Sequence, residues 1–406
     1  MYKYLIIGIG LFGSAAARHL SAVSDGVALV GPEEPSDWAA HDGVFASHYD
    51  EARIVSQSAP DAIWQQLDRE SIGAYAEIEA QSGIRFFTPS GRLTAIPQGD
   101  PVFYPYAADV WPNCRALTHQ EMRDTFAFHL PSNYEGVFED APSGHLNPRK
   151  MVRAQTTVAQ QQGAEVIRAL VVRMRDCGAS VEAVLQDGRV ISAEKVLLTT
   201  GAFINSFDLA ERKLAVKPES IMSVLGEVSA ETAAKYADLP PLNYKNMGSA
   251  LPHLSILPPL RFLDGRHYIK IVPSSEIDQN LPSHNALTSW FKQDDPYVYM
   301  RDIQQTMEQL LPQIDFLDWR TKPCVVCFTP TWKPMIDCLI DGRVYVAAGG
   351  NAGAAHPSDA IGKLSADFMH HNRWTSNLDH TPFRLNYADE WPDWMTKMTS
   401  VWDNKA

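Results

Sequence analysis

The first thirty residues alternate between two hydrophobic patterns. Residues 3–7 (KYLII) are a short unbroken apolar run, the signature of a strand covered on both faces. Residues 8–13 (GIGLFG) follow, then SAAARHLSAV, in which Ala16, Leu20 and Val23 recur on one helical face. Residues 27–30 (VALV) predict a second strand. Strand, glycine turn, helix and strand in this order predict a dinucleotide-binding start. Gly8 permits the tight turn, Gly10 lets a pyrophosphate approach the backbone, and Gly13 lets helix and strand pack closely. Leu11 and Phe12 open the helix, whose first N–H groups and positive dipole end face the phosphates. A structural glycine turn is the alternative. The acid that ordinarily ends the second strand and holds a ribose is missing. Gly31 and Pro32 stand there, and Glu33 or Glu34 is the nearby substitute.

Two later segments repeat the strand-into-glycine pattern. Residues 195–203 (KVLLTTGAF) predict a buried strand running into Gly201. Residues 343–368 (RVYVAAGGNAGAAHPSDAIGKLSADF) predict a strand, a glycine-rich turn and a helix from about Ser358. Between them lie shorter strand patterns at 91–96, 181–185 and 266–272 rather than regular βα alternation. The expected fold is an α/β Rossmann-like nucleotide domain, at 1–85, 145–212 and 330–406. Interleaved with it is an α+β substrate domain on a largely antiparallel sheet, at 86–144 and 213–329.

Composition narrows the function classes. A chain of 406 residues exceeds one ordinary core. A formal charge of −13 argues against nucleic-acid and anionic-membrane partners, which need a basic field. No apolar run approaches the roughly 18–20 residues that cross a bilayer. The N-terminal apolar run passes straight into the patterned helix, unlike a signal peptide, so a cytoplasmic protein is expected. Five scattered cysteines do not form a disulfide framework. Two of them make a C-x-x-C in PCVVCFTPTW at 323–332. A zinc site lacks a second ligand pair, with only Cys338 and His356 as thin candidates, so no metal is expected. Buried inert thiols, a redox pair and a covalent cofactor link stay open.

The ordered segments GIGLFG, SHYDEARIV at 47–55, GHLNPRKMVRA at 144–154, KVLLTTGAF, YIKIV at 268–272 and CVVCFTPTWKPMID with AAGGNAGAAHPSDAIGK resemble one family. It is the FAD-dependent amine and amino-acid oxidases of the D-amino-acid oxidase superfamily, in its sarcosine-oxidase-like branch. The resemblance implies FAD as cofactor, contacted by the first glycine turn, Val172 and Gly201. It implies a possible thioether to the flavin through Cys324, with Thr329, Pro330, Ile336 and Asp337 in step; Cys327 falls where the family has no thiol. Lys270 matches a lysine that activates O2 beside the flavin; an outward-facing strand lysine is the alternative. Arg53 matches an arginine near the flavin ring, unless a salt bridge with Asp50 or Glu51 is its only role. His48 and Tyr49 match a His pair, Tyr49 being a departure. Gly349, Gly350, Asn351 and Gly353 match a loop whose N–H groups face the flavin's N1–C2=O edge.

The expected substrate differs from sarcosine. Family members hold a carboxylate with an Arg and a Lys at positions that are Ser56 and His356 here. Neither replacement reproduces charge-assisted pairing, although His356 could act when protonated or as an acceptor. Arg261, Arg266 and His267 are alternative anchors, or solvated surface charge. The expected reaction is oxidation of a secondary amine or amino acid to an imine with reduction of O2 to hydrogen peroxide, and no dedicated general base. A flavin dehydrogenase feeding a quinone or carrier, and a non-catalytic FAD-binding protein, are the alternatives. A monomer or homodimer is expected.

Overall fold

A computed structural model describes residues 1–59, 61–99, 113–246, 250–275, 277–293 and 297–390. The parts of the expected domains at 100–112 and 391–406 lie outside the described residues. Alternation in the strand Tyr2–Ile7 sends Tyr4 and Ile6 into one apolar cluster and Leu5 and Ile7 into another. Both faces are therefore covered. This strand lies parallel between Val27–Val30 and Val190–Leu198. Glu165–Ile167 extends the parallel set on one side and Val344–Ala348 on the other. Val171–Asp176, Val181–Leu185 and Met335–Ile340 add antiparallel pairings, which makes the sheet mixed.

The helices Leu11–Ser21, Pro148–Gln161 and Ser358–His371 pack together over one face. Their small residues permit the contact, since a Cβ on Gly362 would lie 2.4 Å from the Ala15 Cβ. Arg18, Gln155 and Asp359 join the three through buried hydrogen bonds. The first helix ends at Ser21, so Val23, expected on its buried face, is exposed.

A second sheet runs Asp318–Phe328, Lys217–Val228, His267–Ser274, His253–Arg261, Leu242–Lys245, Arg92–Pro97, Tyr134–Glu139 and Cys114–Leu117. Its pairings are antiparallel except Leu242–Lys245 with Arg92–Pro97, which is parallel, so this sheet too is mixed. Ile256, Ile269 and Ile271 pack with Ile303, Met307 and Leu310 of the helix Met300–Leu310. A small third sheet joins Arg53–Val55, Gly144–Leu146 and Phe87–Thr88, across the boundaries expected at 85/86 and 144/145. Among the described residues no helix is long and apolar enough to cross a membrane.

Candidate active site

The glycines of the first turn divide by what surrounds them. A Cβ on Gly8, whose φ is +117°, would stand 2.4 Å from the Thr199 carbonyl oxygen, and one on Gly13 1.9 Å from that of Gly8. Both positions exist so that the first helix can crowd the strand ends. Gly10 differs: a Cβ there would meet nothing within 4 Å. It faces a cavity of about 510 Å³, walled also by Gly8, Leu11, Phe12 and Gly201, a volume ordinary for ligand sites. As an N-cap without a side chain, Gly10 leaves the first N–H groups of the helix open to that cavity.

Two residues expected to contact the cofactor lie off the described cavity wall. Glu33 is not on the described cavity wall; it is exposed, 3.5 Å from Arg168. Glu34 is bound by Arg149, which also pairs with Glu51. The wall at this point is Gly31 and Pro32. Val172 is likewise absent from it: Leu170 and Val171 are on the wall, and the Val172 carbonyl accepts from the Asp208 N–H at 3.2 Å.

Farther along the cavity, charges gather. Lys270 is 2% exposed between Ile269 and Ile271, not outward-facing. Its Nζ pairs with Asp50 and donates to the Ala52 carbonyl at 3.1 Å. Asp50 also pairs with Arg53, so the salt bridge left open by the sequence is present. That pairing leaves Arg53 on the cavity wall, donating to the Ser47 carbonyl at 2.7 Å and lying 3.6 Å from Cys324 Sγ. Lys270 is not itself on the described wall. Burial, with Arg53 adding to it, pushes the Lys270 ammonium well below its ordinary pKa. His48 and Tyr49 line the cavity with rings 4.7 Å apart. Burial, aided by Arg149 and Arg53, depresses His48 to about 3, so it is neutral near pH 7.

Strand geometry answers the C-x-x-C. Cys324 and Cys327 lie in the regular strand Asp318–Phe328, where an odd separation turns side chains to opposite faces. Cys324 is on the cavity wall, its carbonyl accepting from Trp290 Nε1 at 2.8 Å. Cys327 reaches the same wall, but its side chain packs in the apolar core on the other face of the strand, and burial pushes its thiol up to about 12. All five cysteines are free, and no metal-binding cluster occurs among the described residues.

The glycine loop closes the cavity. Gly349, Gly350 and Gly353 are on the wall; Asn351 is not. Asn351 is a brace: its Oδ1 accepts from the Thr329 N–H at 2.9 Å, and its own N–H donates to the Cys327 carbonyl at 2.8 Å. His356 ends the loop on the wall, with Nδ1 2.8 Å from the buried Asp68. Also on the wall, the Ser56 hydroxyl donates to Glu139 at 2.8 Å, and Arg92 contacts the same carboxylate at 3.1 Å. Burial opposes the Glu139 charge, but Arg92 and hydrogen bonds from Gln57 and Ser56 help outweigh it and lower its pKa. Arg92, on the wall, is thus linked to Ser56 through Glu139. Arg261, Arg266 and His267 are not on the described wall, and Arg266 pairs with Glu227 at 2.8 Å.

The sequence profile of the FAD dependent oxidoreductases (DAO) matches residues 3–368. The chain belongs to this family. It is similar to monomeric sarcosine oxidase of Streptomyces avermitilis, 31% identical over 41% of this chain and 42% of that protein. It is also similar to the uncharacterized oxidoreductase YurR of Bacillus subtilis, 26% identical over 50% of this chain and 56% of the relative. The matches thus span less than two thirds of these relatives' lengths. In fold it is similar to the open form of NikD, an unusual amino acid oxidase essential for nikkomycin biosynthesis. There the TM-score is 0.75 at 17% identity, covering 95% of this chain and 98% of the other.

FAD is the cofactor of this family, and the cavity of this FAD dependent oxidoreductase suits it. Gly10 leaves a space that a side chain would fill, and the first helix turns its N–H groups toward it. Sequence reasoning missed Arg92, Glu139 and Asp68. Arg92 stands in GRLTAI, where polar residues alternate with apolar ones and read as solvent-facing. The acids carry no spacing that ties them to the cavity.

Proposed function

We propose that this FAD dependent oxidoreductase oxidises a secondary amine or amino acid to an imine, with O2 as acceptor and hydrogen peroxide as product. The supporting observation is one continuous cavity that reaches from the Gly10 cradle to Arg53, Cys324, His356 and Arg92. When bound, FAD supplies the electron-accepting ring. Asp50 neutralises one of its two cationic neighbours, so the Arg53–Asp50–Lys270 group keeps an excess positive charge when ionised. That excess favours negative charge developing near it in a desolvated site. Ile221, Leu257 and Val272 make part of the wall apolar, which disfavours an ammonium and favours the reactive free amine. Arg92 offers a guanidinium to an anionic group on the substrate, held in place by Glu139. The reading assigns the first sheet and its helices to FAD and the second sheet to the substrate. It includes a covalent FAD link through Cys324.

The test is spectral. The purified protein is expected to be yellow and to be bleached anaerobically by some of a panel of N-methylglycine, L-proline, L-pipecolate and N-methylbenzylamine, with N-methylglycine a poor member. Colour staying with the acid-denatured chain, and leaving it in Cys324→Ser, supports the covalent link. Bleaching by no amine overturns the proposal, and dye reduction without peroxide overturns its acceptor.

A further inference from the structure

The long helix Ala62–Ser82 carries a buried acid that the reading above does not use. Asp68 is 1% exposed, and neither carboxylate oxygen receives an aligned hydrogen bond among the described residues. A desolvated carboxylate in that condition strongly demands a donor. The ion-pairing group against it is His356, with Nδ1 2.8 Å from Oδ1. The N–H at that nitrogen is not in line, so the contact is not a finished hydrogen bond. Even so, two lone pairs at that separation would repel, and a proton must lie between them. The same helix fixes the histidine backbone, since Tyr75 Oη donates to the His356 carbonyl at 2.5 Å. With Nδ1 turned to Asp68 and the residue on the cavity wall, Nε2 is the nitrogen left to a ligand.

We propose that His356 Nε2 takes the proton from a substrate ammonium and that Asp68 is its positioning residue. The inference rests on the amine-oxidation reading above. In the step an N–H bond of the ammonium breaks and an Nε2–H bond forms, the amine nitrogen keeping the electron pair. The imidazolium so formed is offset by Asp68, and no electron changes hands. Charge separates this role from that of a carboxylate anchor. Neutral imidazole with ionised Asp68 carries net −1 and draws a cation, whereas imidazolium with Asp68 is neutral and holds an anion weakly. Beside the pair stand Tyr75 on the long helix and, near Tyr75, Asp359 at the start of the helix Ser358–His371; Arg53 and Arg92 share the cavity wall with His356. Both guanidinium groups have their own acids, Asp50 and Glu139. The substrates selected are strongly basic amines, which arrive protonated.

Two measurements on the holoenzyme test this. In a ¹⁵N-histidine-labelled protein, the His356 ring, assigned by its loss in His356→Gln, is expected to carry its proton on Nδ1. In Asp68→Asn it is expected to move toward the Nε2–H form. In anaerobic flavin reduction by the fastest-bleaching panel amine, His356→Gln is expected to slow reduction at pH 7 by on the order of 10²-fold. That deficit should shrink as pH rises toward the amine's own pKa, about 10, where free base is supplied without help. An Nε2–H ring in the unmodified protein, or a deficit that does not change with pH, overturns the inference while leaving amine oxidation intact. If no amine bleaches the flavin, the parent reading falls and the proton transfer falls with it. Should Asp68→Asn fail to fold, His356→Gln, altered only at the cavity wall, carries the test.

Discussion

Asp50 sits between Arg53 and Lys270, whose ammonium burial disfavours, and its carboxylate is what opposes that loss of charge. A lone lysine ammonium at 2% exposure would bear the full cost of desolvation. The carboxylate offsets that cost without cancelling the charge of both partners. Lys270→Met should therefore slow oxygen consumption in the re-oxidation half by on the order of 10²-fold, as expected when a fixed charge is taken from a desolvated site. Flavin reduction by amine should change little. Stopped-flow traces of the two half-reactions check this, and equal slowing of both would remove Lys270 from its proposed role. The Lys270 neighbours in YIKIV hinted at burial; nothing in the local pattern named Asp50 as partner, because the two are 220 positions apart.

At the scale of elements, the first turn joins two requirements that look alike as letters. Gly13 serves packing and Gly10 serves ligand space. Gly13→Val should lower stability by at least the roughly 1–3 kcal/mol typical of overpacking, because the displaced partner is backbone. Gly10→Val should keep the apoprotein melting temperature near that of the parent and lose FAD. Thermal melts of apoprotein and the visible flavin absorbance of the purified protein separate the two outcomes. The C-x-x-C shows the same lesson from another side. Spacing that suggests a pair on a turn becomes two opposite faces on a strand, and only the secondary structure decides between them.

At the scale of the whole molecule, folding buries neutral histidines. Burial depresses His48 to about 3, helped by Arg149 and Arg53, and His145 to about 4. Both lie below the ordinary value of about 6.5. The unfolded chain then binds protons that the folded one refuses, so stability is complete above 6.5 and falls as pH drops through the folded values. Each group contributes a slope of about 1.4 kcal/mol per pH unit in that window. Urea unfolding between pH 4.5 and 7 should show the fall, and His145→Asn should reduce the slope by that amount. An unchanged slope would mean that His145 is protonated in the folded state.

Local pattern sufficed for the elements that present backbone to the cavity. The strand Tyr2–Ile7, its glycine turn and the loop at 349–354 are legible because apolar periodicity and φ or space demands act on neighbours in sequence. The order of such segments also indicated an interrupted nucleotide fold. What only the tertiary structure decided was which side chains meet. Glu33 turned outward and Asn351 became a brace, while Asp68 met His356 and Arg92 was linked to Ser56 through Glu139. The physical reason is that ion pairing and desolvation depend on distance through space. The sheets that set those distances draw their strands from remote parts of the chain.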